Sequence, residues 1–197
     1  MSSYTDEEKI EKFLDATITA GDADDFISAA KKVIDMLTGR NFIADDEASE
    51  RFFEGTERNA LIIDECIEVT KVERASDAYG DTLVTIDADD RISLPRNYAS
   101  EGIPIKVIFY KNGVFAIGID GVPNHKVTAK WGYSEEVPDD IAFAATVLAA
   151  GMYSFNRSDG NVKSEKIGNY SVVYGEDNLK AFEQAKDIIA SRKRYII

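Results

Sequence analysis

VTAKWGYSEEVPDDIAFAATVLAAGMYSF, residues 127–155, changes texture at its middle. Val127 to Trp131 is a short β-branched and aromatic run, the pattern of a strand. After Ser134-Glu135-Glu136-Val137, Pro138 takes the first turn of a helix, where its missing N–H is no loss. IAFAATVLAAGMYSF (141–155) is then apolar nearly all round. Ile141, Leu148, Met152 and Phe155 line one face, and Ala142, Ala145 and Ala149 another. A helix without a polar face is buried on most sides, within a core or against a neighbouring subunit. Its alanines and Gly151 let another backbone come close, and core packing accounts for them most simply.

Upstream, Leu61-Ile62-Ile63, Ile67–Val72, Leu83–Ile86, Ile105–Tyr110 and Val114–Ile117 are further strand-like runs. Gly55, Tyr79-Gly80-Asp81, Lys111-Asn112-Gly113 and Asp120-Gly121 separate them. Asn112-Gly113 is the strongest hairpin signal, joining the runs on either side of it. The spacing predicts an antiparallel sheet of about five or six strands. Without helix–strand alternation, a nucleotide-binding parallel sheet is excluded.

Before the sheet, Thr5-Asp6-Glu7-Glu8 has a capping-box pattern, with the Thr5 hydroxyl and the Glu8 carboxylate as caps. Ile10, Phe13 and Leu14 form a short apolar stripe behind it. A second helix starts near Asp22 or Asp24, carries Phe26, Ile27, Ala30, Val33, Ile34 and Leu37 at helical spacing, and ends at Gly39. After residue 155, Ser158-Asp159-Gly160 turns the chain. A final helix begins near Asp177, with Leu179, Phe182, Ala185, Ile188 and Ile189 inward. The expected fold is α+β: a helical bundle of about four helices with an antiparallel β region inserted between helices two and three. Its parts are N-terminal helices over 1–45, a β region over 50–131, a buried Ala-rich helix over 137–157, an extended segment over 163–175 and a closing helix over 177–197.

The chain has 197 residues with a formal net charge of −13. A surface this acidic repels phosphate backbones and excludes tight general binding to nucleic acid. No apolar run is long enough for a membrane-spanning helix, and MSSYTDEEKIEKF lacks the order of a signal peptide, so a reducing cytoplasm is expected. The lone cysteine, Cys66, agrees with that compartment.

Chemistry-bearing residues are few. Cys66 lies in a strand pattern and reads as a small packed side chain. His125, the single histidine, follows Gly121-Val122-Pro123-Asn124, where exposure is expected. Too few His and Cys ligands exist for a zinc site, and phosphate-cradling glycine loops are absent. Asp87-Ala88-Asp89-Asp90 opens like a calcium loop, but Arg91 takes the next ligand position. No catalytic, cofactor or metal residue is assigned, and no cofactor is expected. The scarce bases are more informative. Arg192, Lys193 and Arg194 crowd the last turn ahead of Tyr195-Ile196-Ile197, and helix-dipole compensation does not explain that apolar tail. A basic cluster with an apolar tail on an acidic protein fits docking to another protein.

The order of features resembles the head–tail connector (adaptor, or head-completion) proteins of long-tailed bacteriophages. FISAAKKVIDMLTGRNF (26–42) looks like that family's early helix with its Gly-Arg-x-Phe turn. Residues 127–155 are similar to its strand, aromatic-Gly-Tyr turn, x-Pro-x-Asp start and alanine-rich helix. SEKIGNYSVVYG (164–175) resembles its Ile-Gly-Asp-Tyr-Ser-Val-x-Tyr segment, with Asn169 in place of Asp. These motifs cover about half of the chain, and the sheet region departs from the common pattern by being larger.

The resemblance implies one connector domain over 1–197, a structural and non-enzymatic subunit of the virion neck assembled in the host cytoplasm. Its implied partners are other copies in a twelvefold ring, a portal protein above and a head-closure or tail-completion protein below, with genomic DNA passing unbound and no membrane. Residues 192–197 are then the expected portal-docking element, and Asp87, Asp89 and Asp90 are the suggested channel-facing acids. Read as a single strand, KIGNYSVVYG turns Gly168, Tyr170, Val172 and Tyr174 one way and Ile167, Asn169, Ser171 and Val173 the other. With no evident hairpin partner, it reads as a subunit-interface strand carrying Lys166, Ile167, Gly168, Asn169, Tyr170, Ser171, Val172 and Tyr174, or else as an edge strand of its own sheet. Rival functions are another neck component (a stopper or tail-completion protein), or a small β-rich binding module or hydrolase.

Overall fold

The computed structural model describes residues 3–77, 79–157, 163–167, 170–174 and 179–194. In chain order the elements are α1 (Glu7–Leu14), α2 (Asp24–Thr38), β1 (Ser49–Phe53), β2 (Ala60–Ala75), β3 (Leu83–Thr85), β4 (Arg91–Leu94), α3 (Tyr98–Glu101), β5 (Ile105–Tyr110), β6 (His125–Trp131), α4 (Asp139–Arg157), β7 (Lys163–Ile167), β8 (Tyr170–Tyr174) and α5 (Leu179–Ser191). They divide into a helical unit, Met1–Phe42 with Val137–Ile197, and a sheet unit, Ile43–Glu136. The fold is α+β, with the sheet inserted in the chain between α2 and α4.

In the helical unit, α4 is surrounded: α1, α2, α5 and β8 all pack on it. Ile141, Ala144, Ala145, Val147, Leu148, Ala149 and Ala150 are fully buried. Phe155, expected on the buried face, is instead 53% exposed. From α2, Ile27, Ala30, Val33 and Ile34 complete the core, and α5 adds Phe182, Ala185 and Ile189. Gly39 takes a left-handed φ of 67° just past α2 and returns its N–H to Asp35 O at 2.8 Å, as the Gly at that point predicts.

The cap of α1 differs from expectation. Asp6, not Thr5, is the N-cap and accepts the Lys9 N–H at 2.9 Å. Thr5 is buried, and its hydroxyl lies 2.7 Å from that of Thr146 on α4, a buried polar pair that satisfies itself. The first turn of α1 also serves the next connection, since Glu7 Oε1 accepts the Gly21 N–H at 2.8 Å and the Ala23 N–H at 3.4 Å.

In the sheet unit the strand order is β1-β6-β2-β5-β4, all antiparallel, with β3 also paired to β2. The separate runs 61–63 and 67–72 form one strand, β2. Its first half pairs with β5 and its second with β6, through register shifts that let it bend. Along β6 burial alternates strictly, with His125, Val127, Ala129 and Trp131 inward against Leu61, Ile63, Ile105 and Ile108. His125 is thus a core residue, contrary to the exposure expected of a turn.

Val114–Ile117 is not a strand. β5 already has β2 and β4 on its two sides, so no edge remains for a hairpin return after Asn112-Gly113. Phe115 is bridged to Arg58 and buried in the core, and the Ala116 carbonyl is held by His125 Nε2 at 2.9 Å. The Trp131-Gly132-Tyr133 turn needs its glycine: φ is 142°, and a Cβ there would sit 2.4 Å from Ala44 Cα.

Residues 163–174 change most against expectation. They form a two-stranded antiparallel sheet, β7 with β8, pairing Ile167 with Tyr170 and Lys163 with Tyr174. The strand read as lacking a partner, β8, therefore has one within the same segment, β7.

Tyr4 ties the N-terminus to the end of α2. It is buried, donates to Asp35 Oδ1 and accepts the Phe42 N–H at 2.6 Å, and burial first, then Asp35, pushes its phenol pKa up. Replacing Tyr4 with Phe leaves the buried Phe42 amide without this acceptor. We expect Tyr4→Phe to lose about 1–3 kcal/mol of stability in urea denaturation, with an unchanged m-value.

Candidate functional site

The one cysteine and the one histidine are both committed to packing. Cys66 is fully buried on β2, and burial, with a smaller push from Asp64, raises its thiol to about 12, far from a reactive thiolate. Both nitrogens of His125 are engaged by backbone. Nδ1 accepts the Ala75 N–H at 3.0 Å, which puts the proton on Nε2, 2.9 Å from Ala116 O. Among the described residues no group of His, Cys, Asp and Glu is arranged to hold a metal ion.

Asp87, Asp89 and Asp90 sit on the turn before β4, Asp87 and Asp89 exposed and Asp90 half-buried. Asp90 Oδ1 accepts from Asn112 Nδ2 at 2.6 Å, and Lys111 Nζ bonds the Asp89 carbonyl. The loop after β5 thus braces this turn, which explains its conformation without a cation.

The basic end of α5 is partly used within the helical unit. Arg192 makes a two-pronged contact with Asp140 Oδ2, Nε at 2.9 Å and Nη2 at 2.8 Å, at the first turn of α4. The Arg194 N–H donates to Thr38 O at 2.7 Å, satisfying a carbonyl at the end of α2. Lys193 is exposed between them. Tyr195, Ile196 and Ile197 lie outside the described residues, as do Gly168 and Asn169. Lys166 and Ile167 end β7, and Tyr170, Ser171, Val172 and Tyr174 lie on β8, so the structure brings this expected interface set together around one hairpin.

Sequence reasoning missed both edges of the large sheet, β1 and β4, because short edge strands carry charges rather than an apolar alternation. Beside β4 lies a shallow groove of about 410 Å³, lined by Arg91, Ile92, Ser93, Arg96, Tyr98 and Lys111. Arg91 Nη2 donates to Val69 O at 3.3 Å and Thr70 O at 3.1 Å, while its Nη1 is buried without a partner among the described residues. Exposed aliphatics also crowd the loop before β6, with Val114 52%, Ile117 42% and Val122 54% exposed. The visible signals for the groove were Arg91 and Arg96, five residues apart around a short apolar run.

No protein-family profile matches the sequence, and no curated protein does. Solved structures do match the fold. A chain from the neck of an empty GTA particle, computed with C6 symmetry, aligns with a TM-score of 0.57 at 14% identity, over 95% of this chain and 90% of that one. A chain from the neck of a native GTA particle, computed with C12 symmetry, aligns with a TM-score of 0.55 at 13% identity, over 100% of this chain and 96% of that one. At this identity the likeness is one of fold.

The buried His125 has a pH consequence. Burial lowers its pKa below 6.5, with the Ala116 bond opposing and the Arg74 charge adding to the shift. The unfolded chain then takes up this proton first, so the contribution to stability is full above pH 6.5 and is lost as pH falls below it. Comparing urea midpoints of the wild type and His125→Asn between about pH 7.5 and about pH 5 should show the steeper acid loss in the wild type.

Proposed function

We infer that this chain is a structural subunit of the neck of a phage-like particle. In this reading copies form a ring beneath the portal, join head to tail and extend the DNA channel, with no catalytic turnover. The carrying observation is that the whole order of helices, inserted sheet, hairpin and closing helix aligns with neck chains over nearly their full lengths. The symmetric particles those chains come from support a ring as the form of self-association, and a twelvefold ring is the specific expectation.

Charge supports the same reading. A channel that passes DNA without trapping it has to avoid phosphate contacts, and a chain of net charge −13 offers few. Asp87 and Asp89, exposed on a sheet-unit turn, are the acids we assign to the lumen. The housekeeping fates of Cys66 and His125 are consistent with a part that holds rather than reacts.

Portal docking is assigned to the end of α5. Arg192 is held by Asp140, so Lys193, exposed and with no such partner, is the charge best placed to reach another protein. We expect Lys193→Glu to weaken binding to the portal protein of the same particle by roughly tenfold or more, with a steeper loss at low salt and an unchanged melting temperature. Unaltered portal binding by Lys193→Glu, measured by titration at low ionic strength, would count against docking through this end of the chain.

A further inference from the structure

The large sheet ends in two free edges that differ in charge. On the β4 side, Arg91, Arg96 and Lys111 line one groove, and none has a carboxylate within ion-pairing distance among the described residues. Elsewhere in the unit Arg51 pairs with Asp64, Lys71 and Lys126 with Glu73, Lys106 with Glu65 and Lys130 with Glu68. Arg91 is the costliest of the three. Burial lowers its pKa, and its buried Nη1 has no hydrogen-bond partner among the described residues. The floor between these cations is apolar, supplied by Ile92 and Tyr98. Asp89 and Asp90 stand near one mouth of the groove, but neither lines it.

At the other edge, the chain entering β1 is Asp45-Asp46-Glu47, exposed and without a cation partner among the described residues. β1 follows, with Phe52 55% exposed beside these acids in the sequence. An acidic run followed by an exposed aromatic is the complement of a cationic groove with an apolar floor. Within one copy β6, β2 and β5 stand between β1 and β4 in the strand order, and no ion pair joins the two features among the described residues.

We propose that the acidic β1 edge of one copy, Asp45 to Phe52, docks in the Arg91–Arg96–Lys111 groove at the β4 edge of the next. Different patches meet at such a contact, so it is heterologous and propagates head to tail, closing when the rotation per step divides a full turn. The proposal rests on the ring reading above and names the surfaces that make the ring.

Site-directed cross-linking tests it. Glu47→Cys and Arg96→Cys both replace exposed side chains, and the native Cys66 is buried and out of reach. Chains carrying both substitutions, assembled on the portal and treated with a short bis-maleimide, should give a ladder of linked multimers on a denaturing gel. Each single variant alone should give none, and a mixture of the two should stop at a dimer. Single variants that link to themselves would indicate a two-fold contact and overturn the proposal. Absence of a ladder from complexes that contain the ring would overturn the edge contact while leaving the ring reading intact; absence of the chain from the portal complex would overturn both. Melting temperatures of the variants exclude misfolding as the cause. As a second arm, Asp46→Lys with Glu47→Lys should reduce ring formation at least tenfold, and Arg96→Glu with Lys111→Glu in a second copy should restore contact between the two.

Discussion

A helix without a polar face has to be enclosed, and the helical unit is the enclosure of α4. Fully buried Ile141, Ala144, Ala145, Leu148 and Ala149 leave its middle no side for water. Each remaining helix is amphipathic and lends one stripe to that task, while the alanines keep the backbones close. The polar exceptions are tied as tightly as the apolar rule. Thr146 finds the Thr5 hydroxyl, and Arg192 returns from α5 to Asp140 at the head of α4. Truncating Ile141 or Leu148 would open a cavity touched by several helices, the kind of change that costs about 2–5 kcal/mol.

The sheet unit answers a different constraint. One long strand, β2, serves as partner to β6 and β5 in turn, and its register shifts let it bend between them. That arrangement uses up both sides of β5, which is why the Asn112-Gly113 turn leads into a loop, held at Phe115 and Ala116, rather than into a strand. It also leaves β1 and β4 as edges, where charge can act on other molecules rather than on the chain itself.

Much of this was legible beforehand, because it follows from periodicity. The strand-like run Val127 to Trp131 and the unbroken apolar helix after Pro138 mark the boundary between sheet and helix directly. What escaped was decided by partners distant in sequence. Thr5 looked like a cap because its contact, Thr146, lies 141 residues away. His125 looked exposed because a glycine- and proline-bearing turn precedes it, yet Ala75 and Ala116 claim its nitrogens. The pairing of β7 with β8 escaped because the run from Ile167 to Tyr174 alternates well enough to read as one strand. For the groove by β4, Arg91 and Arg96 were the visible part, but Lys111 comes from the loop after β5 and only the fold brings it to them.

A neck subunit has a fixed place in the particle, and electron microscopy of particles carrying a tagged copy of this chain would show it. Ring density for the chain is expected at the neck, between portal and tail, coaxial with the DNA channel and repeated with the symmetry of that ring. Tagged density in the capsid shell or tail tube, or intact necks assembled without the chain, would contradict it.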